Sequence, residues 1–249
     1  MRKSISRILT LAKRNVLEIV RDPLSLAFTL GMPLIMEILF YLLFHGKTSQ
    51  FDMKYLAPGI VGFSQAFLAL FTGILIAVDR STSFLTRLYV SKARSYEFIF
   101  SYAVAVLPIA LVQSVLFFLV GGIFDTGLFS PQLAPAIAFS LVTSLFYIAM
   151  GILLGSVCNE KAIGGVSSIV IAGQSILSGM WFPVEGLSEG FIIVMKILPF
   201  KNTTMVLQNS LASNYSFADF GVPMIVVLAY TVVAFALGVI FFRHNMKSQ

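Results

Sequence analysis

The sequence predicts an all-α polytopic membrane protein. It has six transmembrane helices, an amino-terminal amphipathic interfacial helix, and a re-entrant outer segment between helices five and six. Three observations predict this. Hydrophobic residues fill 58% of the 249 positions and charged residues only 11%, where a soluble domain carries roughly 25% charged residues. So few charges cannot cover a water-facing surface. The apolar residues fall into six runs near the length of about 20 that a helix needs to cross a bilayer. The basic residues gather in alternate gaps between those runs, which sets orientation.

Residues 1–22 come first and do not span. Ile5, Ile8, Leu9, Ala12, Val16, Ile19 and Val20 recur at helical spacing, while Lys3, Arg7, Lys13, Arg14 and Arg21 lie mostly off that stripe. A basic amphipathic helix of this kind lies in the headgroup layer. It contains no uninterrupted apolar core, so no signal peptide is read and Met1 is expected to stay. Arg21-Asp22-Pro23 closes it and starts the first span, 24–44, proline being suited to a helix start.

Glu37 stands inside that first span. A carboxyl within a membrane is costly and points to function. Its functional reading is a contact with substrate or proton. Its structural readings are a hydrogen bond to a neighbouring helix or a carboxyl that stays protonated in low dielectric.

The second span, 55–78, carries Gln65 and Thr72 seven residues apart on one face. The third, 98–124, carries Gln113. Between them runs Asp79-Arg80-Ser81-Thr82-Ser83-Phe84-Leu85-Thr86-Arg87-Leu88-Tyr89-Val90-Ser91-Lys92-Ala93-Arg94. Phe84 and Leu88 pair at a spacing of four, as do Leu85 and Tyr89, so each pair meets on a helix surface. Such an apolar ridge with basic flanks docks into a groove on a soluble partner, or lies on lipid headgroups as an ordinary positive loop.

The fourth span, 133–157, holds Gly151 and Gly155 in a GxxxG arrangement that favours close helix packing. The fifth, 162–182, carries Gly165, Ser168, Ala172, Ser175 and Gly179 at alternating spacings of three and four. That stripe of small residues packs a neighbour, lines a path or forms a dimer seam. Gln174 lies beside it. A water-filled path between spans two and five satisfies Gln65 and Gln174, and so do interhelical hydrogen bonds.

Trp181, Phe182 and Pro183 follow, an aromatic pair suited to an interface. The apolar run 191–200 is too short to span and reads as re-entrant or interfacial, within an outer segment of residues 183–221. The sixth span is 222–242. Asn202-Thr203-Thr204 and Asn214-Tyr215-Ser216 match the glycosylation pattern on the outer side.

An even number of spans puts both ends on one side. All of the 17 lysines and arginines fall there except Lys47, Lys54, Lys196 and Lys201. Both termini are therefore expected in the cytoplasm. The net charge of +6 belongs to this orientation rather than to nucleic-acid binding, which needs a basic patch on a soluble fold.

Little in the chain supports enzyme chemistry. His45 and His244 are the two histidines, far apart, and the single Cys158 forms no intrachain disulfide. Gly46-Lys47-Thr48 looks like the end of a phosphate-binding loop, but that loop needs a glycine at position 41, where tyrosine stands. No metal site is expected, and no cofactor in this chain.

Together these features resemble the membrane-spanning subunit of an ABC transporter of the ABC-2 type, over nearly the whole chain. The resemblance rests on the amphipathic start leading to Arg21-Asp22-Pro23 and on Leu56-Ala57-Pro58-Gly59-Ile60. It continues through the loop from Asp79 to Ser91 with Arg94-Ser95-Tyr96-Glu97, and through Gly151 to Gly155. Its most specific part is Ser178-Gly179-Met180-Trp181-Phe182-Pro183 followed by Leu198-Pro199-Phe200.

The resemblance implies one ABC-2 type transmembrane domain over 1–249, with a cytoplasmic coupling loop at 79–95. It implies an exporter of a drug, lipid, polysaccharide or peptide in a prokaryotic inner or cytoplasmic membrane. Two permease subunits, alike or different, form the pathway within membrane lipid. ATP and Mg are held by a separate cytoplasmic ABC ATP-binding subunit. Asp79, Arg80, Phe84, Leu85, Arg87 and Leu88 are then expected to couple to that subunit. Glu37, Gln65, Thr72, Gln174, Ser175, Trp181, Phe182 and Pro183 are expected along the pathway or its gate. The alternative is an ATP-independent channel or an ion-coupled secondary transporter using Glu37.

Overall fold

Helix dominates because the apolar runs leave lipid-facing backbone no other way to satisfy its hydrogen bonds. The computed structural model describes residues 2–82, 95–182, 184, 186–212 and 216–245. Its helices are α1 (Arg2–Val20), α2 (Pro23–Phe44), α3 (Met53–Ser81), α4 (Ser95–Phe124), α5 (Leu133–Val157), α6 (Glu160–Leu177), α7 (Glu189–Ile197), α8 (Pro199–Asn209) and α9 (Val222–Asn245). A π turn, Ala27–Gly31, interrupts α2, and another, Phe217–Gly221, leads into α9.

Five stretches are long and apolar enough to cross a membrane: α2, α3, Tyr96–Phe124 within α4, α5 and Phe217–Asn245. The expected fifth span is α6, and it is shorter than predicted. It stops at Leu177 rather than running to residue 182. Gly179 takes φ +72°, a left-handed conformation that ends a helix and suits glycine. The pair α7–α8 is apolar enough to cross but is bent by 77°.

α3 is the axis of the bundle. Its apolar window is 83% buried, against 17% for α2 and 22% for the last helix. α4, α5, α6 and α8 all pack on it. Glycines let the backbones close up. A Cβ at Gly151 would lie 2.6 Å from Ala69 O, and one at Gly155 would lie 2.7 Å from Gly73 O. The GxxxG of α5 is thus the place where α5 meets α3 backbone to backbone.

The ends of the helices define two faces. α1 bonds to the end of α3 and the start of α4, and Asn245 Nδ2 donates to Ser156 O at 2.9 Å. Both described ends of the chain therefore lie on one face, called here the terminal face. The opposite one is the loop face.

Candidate functional site

Two sets of side chains stand out, one at each face. At the terminal face, α1 is bolted across the two helix ends that bracket residues 83–94. Arg14 forks onto Asp79, Nη1 to Oδ2 at 2.8 Å and Nη2 to Oδ1 at 2.6 Å, and pairs with Glu18 at 2.9 Å. Tyr102 from α4 donates to the same Asp79 at 2.7 Å. One heptad earlier on α1, Arg7 donates to Glu97 at 3.0 Å, and Ser4 donates to the other oxygen of Glu97. Asp79 and Glu97 are both buried.

A planar guanidinium matches a carboxylate at two points, and the pair shields both charges. The hydrogen bond to Asp79 raises the Arg14 pKa above its ordinary value. Burial against α3 pushes the Glu18 carboxyl up. Asp22 is different: it caps the start of α2, accepting from the Ser25 hydroxyl and backbone, and its pKa falls.

Arg80 points the other way. Its Nη1 donates to Gly155 O at 2.8 Å, Ser156 O at 2.7 Å and Cys158 O at 3.2 Å. These are carbonyls at the end of α5, where a helix lacks internal donors and favours a cation. The side chains of Asp79 and Arg80 thus engage groups of this chain. Phe84, Leu85, Arg87 and Leu88 lie outside the described residues.

The amides expected along a path are held by neighbouring helices. Gln65 Nε2 donates to Ser140 O at 2.8 Å, and its oxygen accepts from Thr143 at 2.9 Å. Both partners are on α5, so the interhelical alternative describes Gln65. Thr72 is buried on the same face, against Gly151. Gln113 ties α2 to α3, donating to Thr29 O at 3.2 Å and Ser64 O at 3.3 Å. Gln174 binds the tip region of the α7–α8 pair. Its oxygen accepts from Tyr147 at 2.6 Å and its nitrogen donates to Thr204 at 3.0 Å.

Those contacts bring Pro199 and Phe200, at the bend, deep among the helices. A Cβ on Gly173 would meet the Phe200 ring at 2.8 Å, and Phe200 stands edge-on to Phe146 at 6.2 Å. Asn202 is buried and donates to Lys196 O at 2.8 Å and Leu198 O at 2.7 Å. The Asn202-Thr203-Thr204 match, a pattern short enough to arise by chance, is thus buried and its amide is held by the backbone at the bend. Asn214 lies outside the described residues.

At the loop face an aromatic cluster closes over the bundle. Trp181 lies 4.6 Å from Phe40 and 5.8 Å from Phe63, centroid to centroid, and its Nε1 donates to Ser175 Oγ at 2.9 Å. One tryptophan thereby joins α2, α3 and α6. Phe182 is half-buried beside it, and Pro183 lies outside the described residues. Next to the cluster is a cavity of ≈ 370 Å³, lined by Thr48, Tyr55, Ser178, Met180, Lys201 and Gln208 among others. One turn before Phe40 on α2, Glu37 is fully buried, and among the described residues neither carboxyl oxygen has a partner.

The small-residue stripe of α6 faces outward in its lower half. Gly165, Ser168 and Ala172 are exposed, and a Cβ on Gly165 would touch nothing within 4 Å. Among the described residues no group of side chains has the make-up to hold a metal.

Sequence reasoning missed the two arginine bridges at the terminal face. A signal was present: Arg7 and Arg14 lie one heptad apart off the apolar stripe, and Asp79 and Glu97 are acids at span ends. The capping role of Arg80 had no comparable signal.

The chain has no match among curated proteins. Its buried amides are spent on contacts between helices, and an aromatic cluster around Trp181 covers the bundle at the loop face. The model of one family, described as ABC-2 type transporter, matches residues 6–212, and the chain belongs to that family of membrane transport proteins.

Proposed function

We propose that the chain is the permease subunit of an ATP-driven exporter, working as a dimer. A separate cytoplasmic ABC subunit binds ATP and Mg and supplies the energy. The terminal face is then cytoplasmic and the loop face external. α6 serves as the fifth span, and α7–α8 dips from outside as the re-entrant segment. The expected setting is a prokaryotic cytoplasmic membrane.

The observation that carries this reading is the free face of α6. Gly165, Ser168 and Ala172 are small side chains exposed along one face, and among the described residues nothing lies within 4 Å of a Cβ placed on Gly165. A second subunit approaching there would place α6 and the adjacent half of α3 around a shared path. Phe71, Ile74 and Val78 form the part of α3 left only half-buried.

Coupling follows from the bridges of α1. A force on residues 83–94 would reach α3 through Asp79 and α4 through Glu97, with α1 as the brace between them. In this reading Asp79 and Arg80 transmit the force within the chain, while Phe84, Leu85, Arg87 and Leu88 meet the ATPase. ATP supplies the differential affinity for two states that any such change requires.

Two measurements test the proposal. Replacing Phe84 and Leu88 by Asp should release the co-expressed ATPase while the permease stays in the membrane; unchanged co-purification refutes the coupling. Cysteines at Gly165 or Ser168, in a chain with Cys158 removed, should crosslink two copies. Transport in vesicles that is indifferent to ATP would favour instead an ATP-independent carrier built on Glu37.

A further inference from the structure

Glu37 belongs to the one seam that holds α2. The buried residues of that helix are Thr29, Pro33 and Glu37, spaced by four, and the seam continues outward through Phe40. The rest of α2 is turned out, with Leu24 68%, Ile35 64% and Leu42 69% exposed. Where α2 meets α3 and α4, the Glu37 carboxyl is surrounded by small and apolar groups. A Cβ placed on Gly121 would lie 2.9 Å from Ala57 Cβ, 3.1 Å from Leu128 Cδ2 and 3.3 Å from Glu37 Oε1.

Among the described residues, the charged and titratable groups near this site are few and engaged elsewhere. On α2 itself, Tyr41 donates to Phe124 O at 3.5 Å. From α3 the outer turns present Lys54 and Tyr55, both exposed and stacked on each other at 5.1 Å. The outer end of α4 presents Asp125, which accepts from Gly127 N at 2.9 Å. In the connecting loop His45 faces Asp52 at 3.5 Å. Thr126–Leu128 offers no titratable side chain. None of these reaches Glu37, which is fully buried with both oxygens unpaired among the described residues.

An ionised carboxylate there would lose its hydration with nothing in return, a cost far larger than that of the neutral acid. We infer that Glu37 is a proton-binding site that latches α2 and the Trp181 plug: the proton is held while the seam is shut and leaves to the loop face when the seam opens. The carboxyl O–H bond breaks, a new O–H bond forms on a water, and a carboxylate is left; no other covalent bond changes. The proton passes to water at the loop face, eight residues or about 12 Å along the helix.

The link to the plug is direct. Phe40 is one turn beyond Glu37 and sits 4.6 Å from Trp181, which in turn bonds Ser175 on α6. Opening the seam at Glu37 therefore shifts Phe40 and changes the surroundings of the indole. The consequence for transport rests on reading Trp181 as part of the outer gate, but proton binding itself does not.

Trp181 is the single tryptophan of the chain, so it reports on this site without labelling. Purified wild-type protein without ATP is titrated from about pH 5 to about pH 10 while Trp181 emission is followed. A reversible sigmoidal shift is expected in the wild type, and its loss in Glu37→Gln, which keeps the shape and cannot ionise. In parallel the infrared carbonyl band of a protonated carboxylic acid should be present at low pH and vanish with the same midpoint, read in a Glu18→Gln background because burial also pushes the Glu18 carboxyl up. The inference is overturned by a wild type with no transition in either signal, or by a Glu37→Gln protein that keeps the wild-type transition. If Glu37→Gln does not fold, the infrared band and the emission having different midpoints overturns it, and a common midpoint supports it. The readouts do not involve the ATPase, so failure here leaves the proposed export function standing, and the reverse holds too.

Discussion

Removing Arg14 should loosen α1 from the bundle by an amount the structure sets. In Arg14→Ala the Asp79 carboxylate, 2% exposed, keeps one donor, Tyr102 at 2.7 Å, and loses two charged bonds at 2.6 and 2.8 Å. Breaking one side of a buried pair costs about 3–5 kcal/mol. Arg14 retains 35% of its side-chain exposure, so water screens part of that interaction, and Tyr102 still serves the carboxylate. The expected loss is about 2–3 kcal/mol, and at 1.36 kcal/mol per tenfold the detached fraction of α1 rises about 30- to 160-fold. Ala12, 4% exposed on the docked side of α1, gives the reporter. An Ala12→Cys chain in a Cys158→Ser background is labelled with a maleimide from the terminal face, at low reagent concentration so that the rate follows the opening equilibrium. Arg14→Ala should label faster by that factor, and Lys13→Ala, at an exposed position, should label like the parent. Equal rates for Arg14→Ala and Lys13→Ala would show that the bridge to Asp79 does not hold the helix.

Gly151→Val should cost several kcal/mol, since its Cβ would overlap Ala69 O at 2.6 Å and backbone cannot step aside as a side chain does; loss of monodisperse protein in detergent reads it out. Gly165→Ala meets nothing within 4 Å inside a helix and should leave the single chain no less stable, with a gain of up to about 1 kcal/mol, while altering crosslinking between copies. Tyr147→Phe removes the bonds to Gln174 and Thr203 at 2.6 and 2.9 Å and should lower stability by about 1 kcal/mol, the scale of hydrogen bonds between membrane helices, with protease access to α7–α8 rising. Arg80→Ala takes the guanidinium from the Gly155 and Cys158 carbonyls at the end of α5 and leaves Ser156 O only its bond from Asn245; it should cost about 1.5–3 kcal/mol, measured as a drop in melting temperature that Tyr147→Phe adds to, because the two sites share no partner.

Composition and basic-residue bias made the helices legible because lipid imposes them. A run of apolar residues has one backbone solution in a bilayer, so the positions of α2 to α5 and α9 could be read from hydropathy. Hydropathy does not report continuity, and there the reading slipped. Met180, Trp181 and Phe182 extend the apolar run of the fifth span, yet Gly179 turns the chain at φ +72° and sends Trp181 back over α3. The amides show the same limit. Gln65 and Gln174 were legible as polar groups needing partners, but which helix supplies them depends on rotation about each axis, which no single span encodes. The bridges of α1 needed pairing information as well: Arg14 and Asp79 are 65 positions apart, and only the fold brings them together.

The packing divides the bundle into a stiff part and a loose one, and this division matters for how a permease could move. α3, α5 and α9 are joined at glycines, where a Cβ at Gly238 would meet Ile152 Cγ2 at 2.9 Å and one at Gly155 would meet Gly73 O at 2.7 Å. Contacts of that kind leave no room to slide, so α3 and α5 move together or not at all. α2 has no such contact. It crosses on a single seam, carries a π turn at Ala27–Gly31 that breaks its regular hydrogen bonding, and holds in its outer half a carboxyl without a partner among the described residues. Elements that move are drawn from the less stable end of a structure. A push delivered through α1 to Asp79 would therefore shift the stiff α3–α5 unit as a body, and the strain would be released where α2 and Trp181 meet, at the loop face opposite the push.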